Sequence, residues 1–150
     1  MIRIALGSDH AGFRRKQILR DFLVKRGYQV ADLGCPNEER CDYPDYARRV
    51  ADAVVRHRAD KGVLVCGTGI GMAIAANKVR GIRAAVCWNP LTARMATEHN
   101  WANVVCVPGR LLTDTQVKAT LKAYLDATPE PGRHKRRIDK ITRLDKRRCP

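Results

Sequence analysis

The sequence predicts a single α/β domain built as a three-layer sandwich around a parallel sheet. Five short apolar segments alternate with longer segments whose apolar residues recur at helical spacing. Strands that alternate with helices form parallel sheets covered on both faces. A chain of 150 residues suits one domain with one core. We therefore expect five parallel strands in the order 2-1-3-4-5, followed by a C-terminal helical arm.

The first half of the chain contains two predicted strands and two predicted helices. In order, these are a strand at 2–7, a helix at 11–26, a strand at 28–33, a loop at 34–43 and a helix from 44 to about 57. Gly27 is a stop signal for the first helix. Pro44 suits the first turn of the second, where a missing backbone N–H costs nothing.

The second half continues the alternation with three strands. The predicted elements are a strand at 63–65, a glycine turn and helix to about 79, a strand at 84–87, a helix from 90 to about 99, a strand at 103–107 and a helix to about 126. Asn89 is a preferred N-cap residue, and the stretch from Thr113 to Gln116 has the capping-box pattern. Residues 129–132 link the last of these helices to the arm.

Two polar clusters are expected to meet at one crevice of this Rossmann-like sheet. In the predicted order the chain reverses direction between strands one and three, and ligands of such sheets bind at the carboxyl ends there. Ser8-Asp9-His10 follows the first strand, and Cys66-Gly67-Thr68 follows the third. The site is therefore predicted at this edge of the sheet.

The glycine turn after the third strand has the composition of an anion site. Gly67, Gly69 and Gly71 allow backbone N–H groups to turn inward, and the helix start adds the positive end of its dipole. The same field favours a thiolate at Cys66, so the stretch could supply a base and an oxyanion hole. The spacing matches neither a dinucleotide fingerprint nor a phosphate loop with Lys-Ser/Thr. The structural alternative is a tight connection around a buried cysteine.

The net charge of +14 is concentrated at the C-terminus, where residues 133–150 hold nine Lys/Arg and two Asp. Ile138, Ile141 and Leu144 recur three apart there, so we expect a helix that docks on protein. The tail has no aromatic residue for base stacking, which argues against nucleic-acid binding as the main role. Solvated surface charge is the expected role of most of its basic residues.

Cysteine usage and hydropathy predict a cytoplasmic protein with reduced thiols. The six cysteines form no C-x-x-C pair, and they lie at positions 35, 41, 66, 87, 106 and 149. No apolar stretch approaches membrane-spanning length, and the N-terminus runs into a strand rather than a signal peptide.

Several blocks together resemble the ribose-5-phosphate isomerase B family, which also contains the allose- and galactose-6-phosphate isomerases. They span essentially the whole chain and are Gly7-Ser8-Asp9-His10-Ala11-Gly12, Asp42-Tyr43-Pro44, Cys66-Gly67-Thr68-Gly69-Ile70-Gly71, Ala75-Ala76-Asn77-Lys78, Gly81-Ile82-Arg83-Ala84, His99-Asn100, Gly109-Arg110 and Arg133-His134 with Arg137. The resemblance implies interconversion of an aldose phosphate and its ketose phosphate without metal or organic cofactor. It also implies homodimers with shared sites, and a tetramer stays open.

The resemblance assigns Cys66 as the base that moves a proton between C1 and C2 through an enediolate. Thr68 would bond the migrating-oxygen region, or act only as a helix cap. Asp9 and His99 are the candidates for opening the sugar ring, and the family favours His99. The remaining expected substrate contacts are Gly67, Gly69, Ile70, Gly71, Asn100, which would orient hydroxyls, and Tyr43, which would line the pocket or simply pack.

The phosphate is expected to bind His10, Arg110, Arg133 and Arg137. Arg133 and Arg137 lie four apart, so a helix aims both guanidinium groups to one side. Residues 133–150 either form part of the domain made by residues 1–132 or dock on a partner subunit. The apolar stripe of this tail favours the second arrangement, in which the tail crosses to the other subunit and supplies Arg133 and Arg137 there in trans.

Ribose 5-phosphate is the expected substrate, with a six-carbon sugar phosphate as the alternative. Galactose-type members divide their catalytic groups between two different subunits, whereas Cys66, Thr68 and His99 occur together in this chain. Alternatives of another class are a silent sugar-phosphate sensor and a basic nucleic-acid-binding module.

Overall fold

The computed structural model describes residues 1–146 and confirms the predicted α/β class. Its elements are β1 Arg3–Ser8, a 3₁₀ turn His10–Gly12, α1 Phe13–Lys25, β2 Gln29–Asp32, α2 Tyr43–Val55, β3 Lys61–Cys66, α3 Ile70–Ala76, β4 Ala84–Val86, α4 Pro90–Glu98, β5 Val104–Pro108, α5 Asp114–Asp126 and α6 Arg133–Lys146. All strand pairs are parallel. Each expected strand and helix is present, with small differences at the ends.

The strand order is β2-β1-β3-β5-β4, so the predicted order 2-1-3-4-5 is wrong for the last two strands. β5 pairs with β3, with Cys66 opposite Pro108, and β4 forms the edge. The reason lies in burial. All five residues of β5 are buried, as suits a central parallel strand, whereas the three residues of β4 are only half-buried.

Apolar side chains cover the sheet on both faces. One face packs against α1, α4 and α5, with Leu19 and Leu121 in its core. The other packs against α2 and α3, with Val50 and Met72 fully buried. Full burial of such side chains contributes about 1.5–3 kcal/mol each, which holds the helices in place around the strand ends.

The predicted helix caps are confirmed. The Asn89 side chain accepts a hydrogen bond from the Thr92 N–H at 2.9 Å. Thr113 and Gln116 exchange the two bonds of a capping box, at 3.2 and 2.9 Å. The helix after the glycine turn ends at Ala76, earlier than predicted, because the Asn77 side chain bonds both backbone groups of Ala84. That contact ties the helix end to the start of β4.

The arm helix α6 lies against its own chain. Within its predicted apolar stripe, Ile138 is buried, whereas Ile141 and Leu144 remain 40% and 59% exposed. The Asp145 carboxylate accepts a hydrogen bond from the Gly81 N–H at 3.0 Å. A partner subunit for this helix therefore stays a prediction.

The described cysteines are consistent with the predicted reduced thiols. Cys35, Cys41, Cys66, Cys87 and Cys106 are all free. The expectation of a reduced thiol at Cys149 and that of solvated charge at the last tail arginines, Arg147 and Arg148, lie outside residues 1–146. No helix in the described range is both long and apolar enough to cross a membrane.

Candidate active site

Asp9 and Cys66 lie next to each other at the carboxyl ends of β1 and β3. These strands are neighbours, with Ser8 opposite Val65, and the Asp9 N–H donates to the Val65 carbonyl at 3.3 Å. The Asp9 side chain is buried and accepts a hydrogen bond from the Gly12 N–H at 3.0 Å. A carboxylate is therefore fixed beside the end of the strand that carries the thiol.

The Cys66 thiol is held by the glycine turn that follows it. The residue is 5% exposed, and the Gly69 N–H points at its sulfur at 3.2 Å. The sulfur is therefore oriented by a backbone donor of the turn. Gly69 has φ +82°, and an added Cβ would lie 3.3 Å from the backbone of Cys106. Only glycine accepts this conformation readily, so the turn requires it.

Thr68 is exposed beside the thiol and bonds the first turn of α3. Its Oγ1 accepts a hydrogen bond from the Ile70 N–H at 3.2 Å. Gly69 is the N-cap of α3 and no side chain caps this helix, so the interpretation of Thr68 as its N-cap is wrong and the bond belongs to the turn before the helix. The hydroxyl hydrogen remains available to donate, since a hydroxyl can accept and donate at once. The predicted contact to the sugar is therefore compatible with this turn.

Tyr43 both packs on the glycine turn and borders its mouth. A Cβ at Gly71 would lie 2.8 Å from the Tyr43 ring, so the two residues are in close contact. The tyrosine nevertheless keeps 40% of its surface exposed. The packing interpretation is supported, and the ring also lies where a ligand on the turn would meet it.

His10 and Arg110 line a cavity of about 410 Å³ beside the same strand ends. The His10 Nδ1 lies 3.2 Å from the Cys41 carbonyl and 3.3 Å from the Cys41 N–H, which fixes the ring. The Arg110 N–H donates to the Gly67 carbonyl at 3.3 Å. Two of the four predicted phosphate contacts are thus brought together near Cys66.

Arg15 was not predicted from the sequence, yet it braces the loop that carries Arg110. Its guanidinium donates to the Leu112 carbonyl at 2.6 Å and the Gly109 carbonyl at 3.4 Å, and it also pairs with Asp114. Its neighbours on α1 are also basic, so charge alone gave no signal that this side chain points inward.

His99 and Asn100 lie at the opposite end of the sheet from Cys66. α4 runs back from the carboxyl end of β4, and His99 caps its C-terminus shortly before β5 begins at Val104. Pro108, four residues further along β5, is the residue opposite Cys66, which places about 13 Å of strand between the two ends. His99 and Cys66 therefore do not meet within one chain.

His99 instead belongs to a cluster with the start of α6. Its ring stacks on that of His134, with centroids 4.3 Å apart and planes 3° from parallel. The Glu130 Oε2 lies 3.4 Å from the Nε2 of His134 and 3.8 Å from that of His99. Arg133, which is exposed, donates from Nε to the His134 Nε2 at 3.4 Å. Arg137 follows one turn later on the same helix.

The pKa of His134 is lowered. Burial is the largest cause, and the nearby charges of His99 and Arg133 follow. Glu130 and His134 were not assigned roles from the sequence. A signal existed, because His134 stands within the Arg133-His134 block and Glu130 precedes it by four residues.

Within residues 1–146, candidate metal-ligand atoms of three side chains lie within 4.8 Å of one another. The three residues are His99, Glu130 and His134. The ring planes are parallel, so the in-plane nitrogen lone pairs do not converge on one ion. Arg133 also occupies the His134 nitrogen. The arrangement is a hydrogen-bonded stack rather than a chelate.

The fold and site together define a doubly wound α/β protein with a thiol and a carboxylate at its switch point. Its sequence matches the model of the Ribose/Galactose Isomerase family over residues 4–141. The chain belongs to this family.

Individual relatives match over nearly their whole length. Ribose-5-phosphate isomerase B of Escherichia coli strain K12 is 45% identical over 148 residues, which is 99% of each chain. The structure of the Clostridium thermocellum ribose-5-phosphate isomerase B superposes with a TM-score of 0.97 at 44% identity, over 99% of this chain and 100% of that one. The Mycoplasma genitalium enzyme with bound ribulose 5-phosphate has a TM-score of 0.93 at 42% identity, over 97% of each chain.

Proposed function

We propose that this protein interconverts ribose 5-phosphate and ribulose 5-phosphate by acid–base chemistry of its own side chains. The observation that carries the proposal is the Cys66 sulfur, held 3.2 Å from the Gly69 N–H beside the buried Asp9 carboxylate. Relatives that are 42–45% identical over nearly the whole chain are named for this reaction. A base beside oxyanion donors is what the reaction needs.

Proton transfer is assigned to Cys66. Its thiolate removes the C2 proton of the open-chain aldose, and the electrons of the C2–H bond move toward O1 to form an enediolate. The hydroxyl proton then passes from O2 to O1 and the Cys66 thiol returns a proton to C1, which gives the ketose and restores the thiolate. The turn from Gly67 to Gly71, with the Thr68 hydroxyl, faces the developing negative charge. These groups are fixed before substrate binds, so little reorganisation opposes the transition state.

Ring opening is assigned to Asp9 and His99. The base accepts the anomeric hydroxyl proton and the acid gives a proton to the ring oxygen, while the bond from C1 to that oxygen breaks. The side chains of His10, Arg110, Arg133 and Arg137 bind the phosphate, for which the planar guanidinium groups of the arginines are suited. Asn100 orients the sugar hydroxyls.

Two copies of the chain are needed to complete each site. Cys66 and His99 lie at opposite ends of one sheet, so the residues at the carboxyl end of one copy must meet the His99 cluster of another. A two-fold axis perpendicular to the strands brings these opposite ends together twice, in two identical sites.

The surface for this contact is the β4 edge with the helices beside it. α3 and α4 flank that edge, and they and the loop before α4 expose large apolar side chains, namely Ile70 and Ile74 of α3, Trp88 of the loop, and Leu91 and Met95 of α4. An unpaired sheet edge beside apolar side chains is a surface that proteins normally cover. A homodimer formed here would place Arg133 and Arg137 in the partner's site while α6 stays on its own chain.

The substrate is tested by steady-state kinetics on ribose 5-phosphate, allose 6-phosphate and galactose 6-phosphate measured side by side, with Cys66→Ala as the control. We expect the wild type to show its highest kcat/KM with ribose 5-phosphate, and we expect the variant to show no turnover of any of the three sugars. A higher kcat/KM with a six-carbon sugar would reassign the substrate. Binding without turnover of any of them would instead support a sensor.

A cytoplasmic location stays a prediction.

A further inference from the structure

The His99 cluster is built around Glu130, whose backbone is fixed on both sides. Its N–H donates to the Glu98 carbonyl at 2.8 Å, and its carbonyl accepts from the Trp101 Nε1 at 3.0 Å. Glu98 and Trp101 flank the His99-Asn100 pair in the sequence. The loop before α6 is therefore attached to the segment that presents His99, which places the Glu130 carboxylate beside its ring.

The same segment is held in an unusual backbone conformation. Trp101 has φ +50°, in the left-handed region that non-glycine residues rarely adopt. Its N–H bonds the Thr97 carbonyl at 3.1 Å, and its carbonyl accepts from Arg83 at 2.8 Å. Such conformations persist where the surrounding contacts fix them, and they concentrate at functional sites.

The charges around the two stacked rings favour one positive charge at most. Two imidazolium ions 4.3 Å apart would repel, and the rings are also faced by Arg133 and Arg137 from α6. Glu130 is the carboxylate beside both ring nitrogens. Burial and these cations lower the pKa of His134, so a positive charge is disfavoured on this ring.

We infer that Glu130 and His134 are positioning residues for ring opening, which fix the plane of His99 and stabilise its protonated form. The inference rests on the proposed function. In the step they support, the His99 imidazolium gives its proton to the ring oxygen, Asp9 takes the proton of the anomeric hydroxyl, and the C1–ring oxygen bond breaks as the C1 carbonyl forms. The Glu130 carboxylate is placed to stabilise the charge on His99 before the transfer.

Glu130→Gln is the sharpest variant because its half-exposed side chain can change without disturbing the core. With ribose 5-phosphate we expect kcat to fall about tenfold, a part of the hundredfold or more that a general acid contributes, with KM nearly unchanged. The high-pH limb of the kcat profile should move to lower pH, since the protonated acid loses its carboxylate. Asp139→Asn, which removes an exposed carboxylate of α6 paired with Lys135, is the matched control and should change neither.

Ribulose 5-phosphate separates ring opening from proton transfer. Its O5 is esterified, so the ketose cannot close a furanose ring and reaches the enediolate without ring opening. Exchange of its C1 hydrogen for deuterium in D₂O should therefore stay within about twofold of wild type in Glu130→Gln and in His134→Phe, which keeps an aromatic ring in the stack. Cys66→Ala should lose this exchange.

Three outcomes are distinguishable. Unchanged kcat and pH profile in Glu130→Gln would overturn the positioning role while leaving the proposed function intact. An equal loss of isomerisation and of C1 exchange would also overturn it, since the variant would then disturb proton transfer. A wild-type protein that neither isomerises ribose 5-phosphate nor exchanges C1 would overturn the proposed function itself.

Discussion

At the scale of single residues, the backbone around Cys66 determines what its thiol can do. The sulfur ends a buried strand, and the left-handed Gly69 turns its N–H toward it. A serine at 66 would keep the strand but replace the reacting sulfur with oxygen. The chemistry therefore depends on one side chain, which a single substitution can test.

Cys66→Ala should abolish isomerisation while substrate binding stays nearly intact. The base acts in the transition state, so its loss lowers kcat rather than raising KM. We expect a loss of at least about a hundredfold, typical of a general base. Binding of ribose 5-phosphate by calorimetry is the companion measurement. A variant that kept more than a tenth of wild-type activity would remove Cys66 from this role.

Lys61 gives a pH-dependent prediction about stability. The Lys61 ammonium lies over the Tyr124 ring, and burial at this place lowers its pKa from 10.5 to about 8. The folded state therefore loses the proton first, and the cost of burying the charge disappears as pH rises from about 8 to 10.5. Denaturant unfolding of wild type and Lys61→Met should show the wild type gaining stability relative to the variant across this range. A constant difference would contradict the burial argument.

At the scale of elements, the site is built where the ends of β1, β3 and β5 meet. Gly109 shows the closeness of this junction, because an added Cβ would lie 3.2 Å from the backbone of Ala11 and Cys66. The loops are thus held by strand pairing and not by their own sequence alone. A substitution that moves the backbone of one of these loops should therefore also move the backbone of the loops beside it.

Gly69→Ala tests the turn itself, with Gly27→Ala as a matched control. Both glycines have φ +82°, so each alanine should cost about 1–2 kcal/mol of stability. Space around Gly27 is open, whereas a Cβ at Gly69 meets Cys106. Only Gly69→Ala should also lose isomerase activity at temperatures where both variants are folded. Equal activity in the two variants would contradict the claim that the active turn requires glycine at position 69.

Arg137→Ala should raise KM strongly, whereas Arg136→Ala should hardly matter. Both arginines are exposed neighbours on α6, but only Arg137 belongs with Arg133 to the residues assigned to the phosphate. Loss of a specific charged contact affects binding more than loss of solvated charge. Steady-state kinetics of both variants is the measurement. Equal effects would point to a diffuse electrostatic role for the helix.

How far the sequence predicts the structure depends on the range of the contacts involved. The caps at Asn89 and Thr113 and the glycine turn follow from local patterns, so they were predicted correctly. The order of β4 and β5 depends on competition for the sheet centre, which a local pattern does not report. The resemblance grouped His99 with Cys66, because a set of matching blocks does not say which copy supplies each residue.

At the scale of the whole molecule, the topology itself separates the two halves of the proposed site. A helix that follows a parallel strand returns to the amino end of the sheet, so His99, at the end of α4, cannot join Cys66 in the same copy. This signal was present in the order of elements. The central claim is therefore that each active site takes Cys66 from one chain and His99 from its partner.

Mixing two inactive variants tests this claim directly. Cys66→Ala and His99→Ala are combined in equal amounts under conditions that allow subunit exchange, verified by mass, and isomerisation of ribose 5-phosphate is assayed. A mixed dimer with shared sites holds one doubly defective site and one intact site, so random pairing should restore about a quarter of wild-type sites. The control mixture of Cys66→Ala with Thr68→Ala, two residues of the same turn, should restore none. If exchange is complete and the first mixture stays at the sum of its two variants, His99 does not act in the partner's site and the shared-site account is wrong.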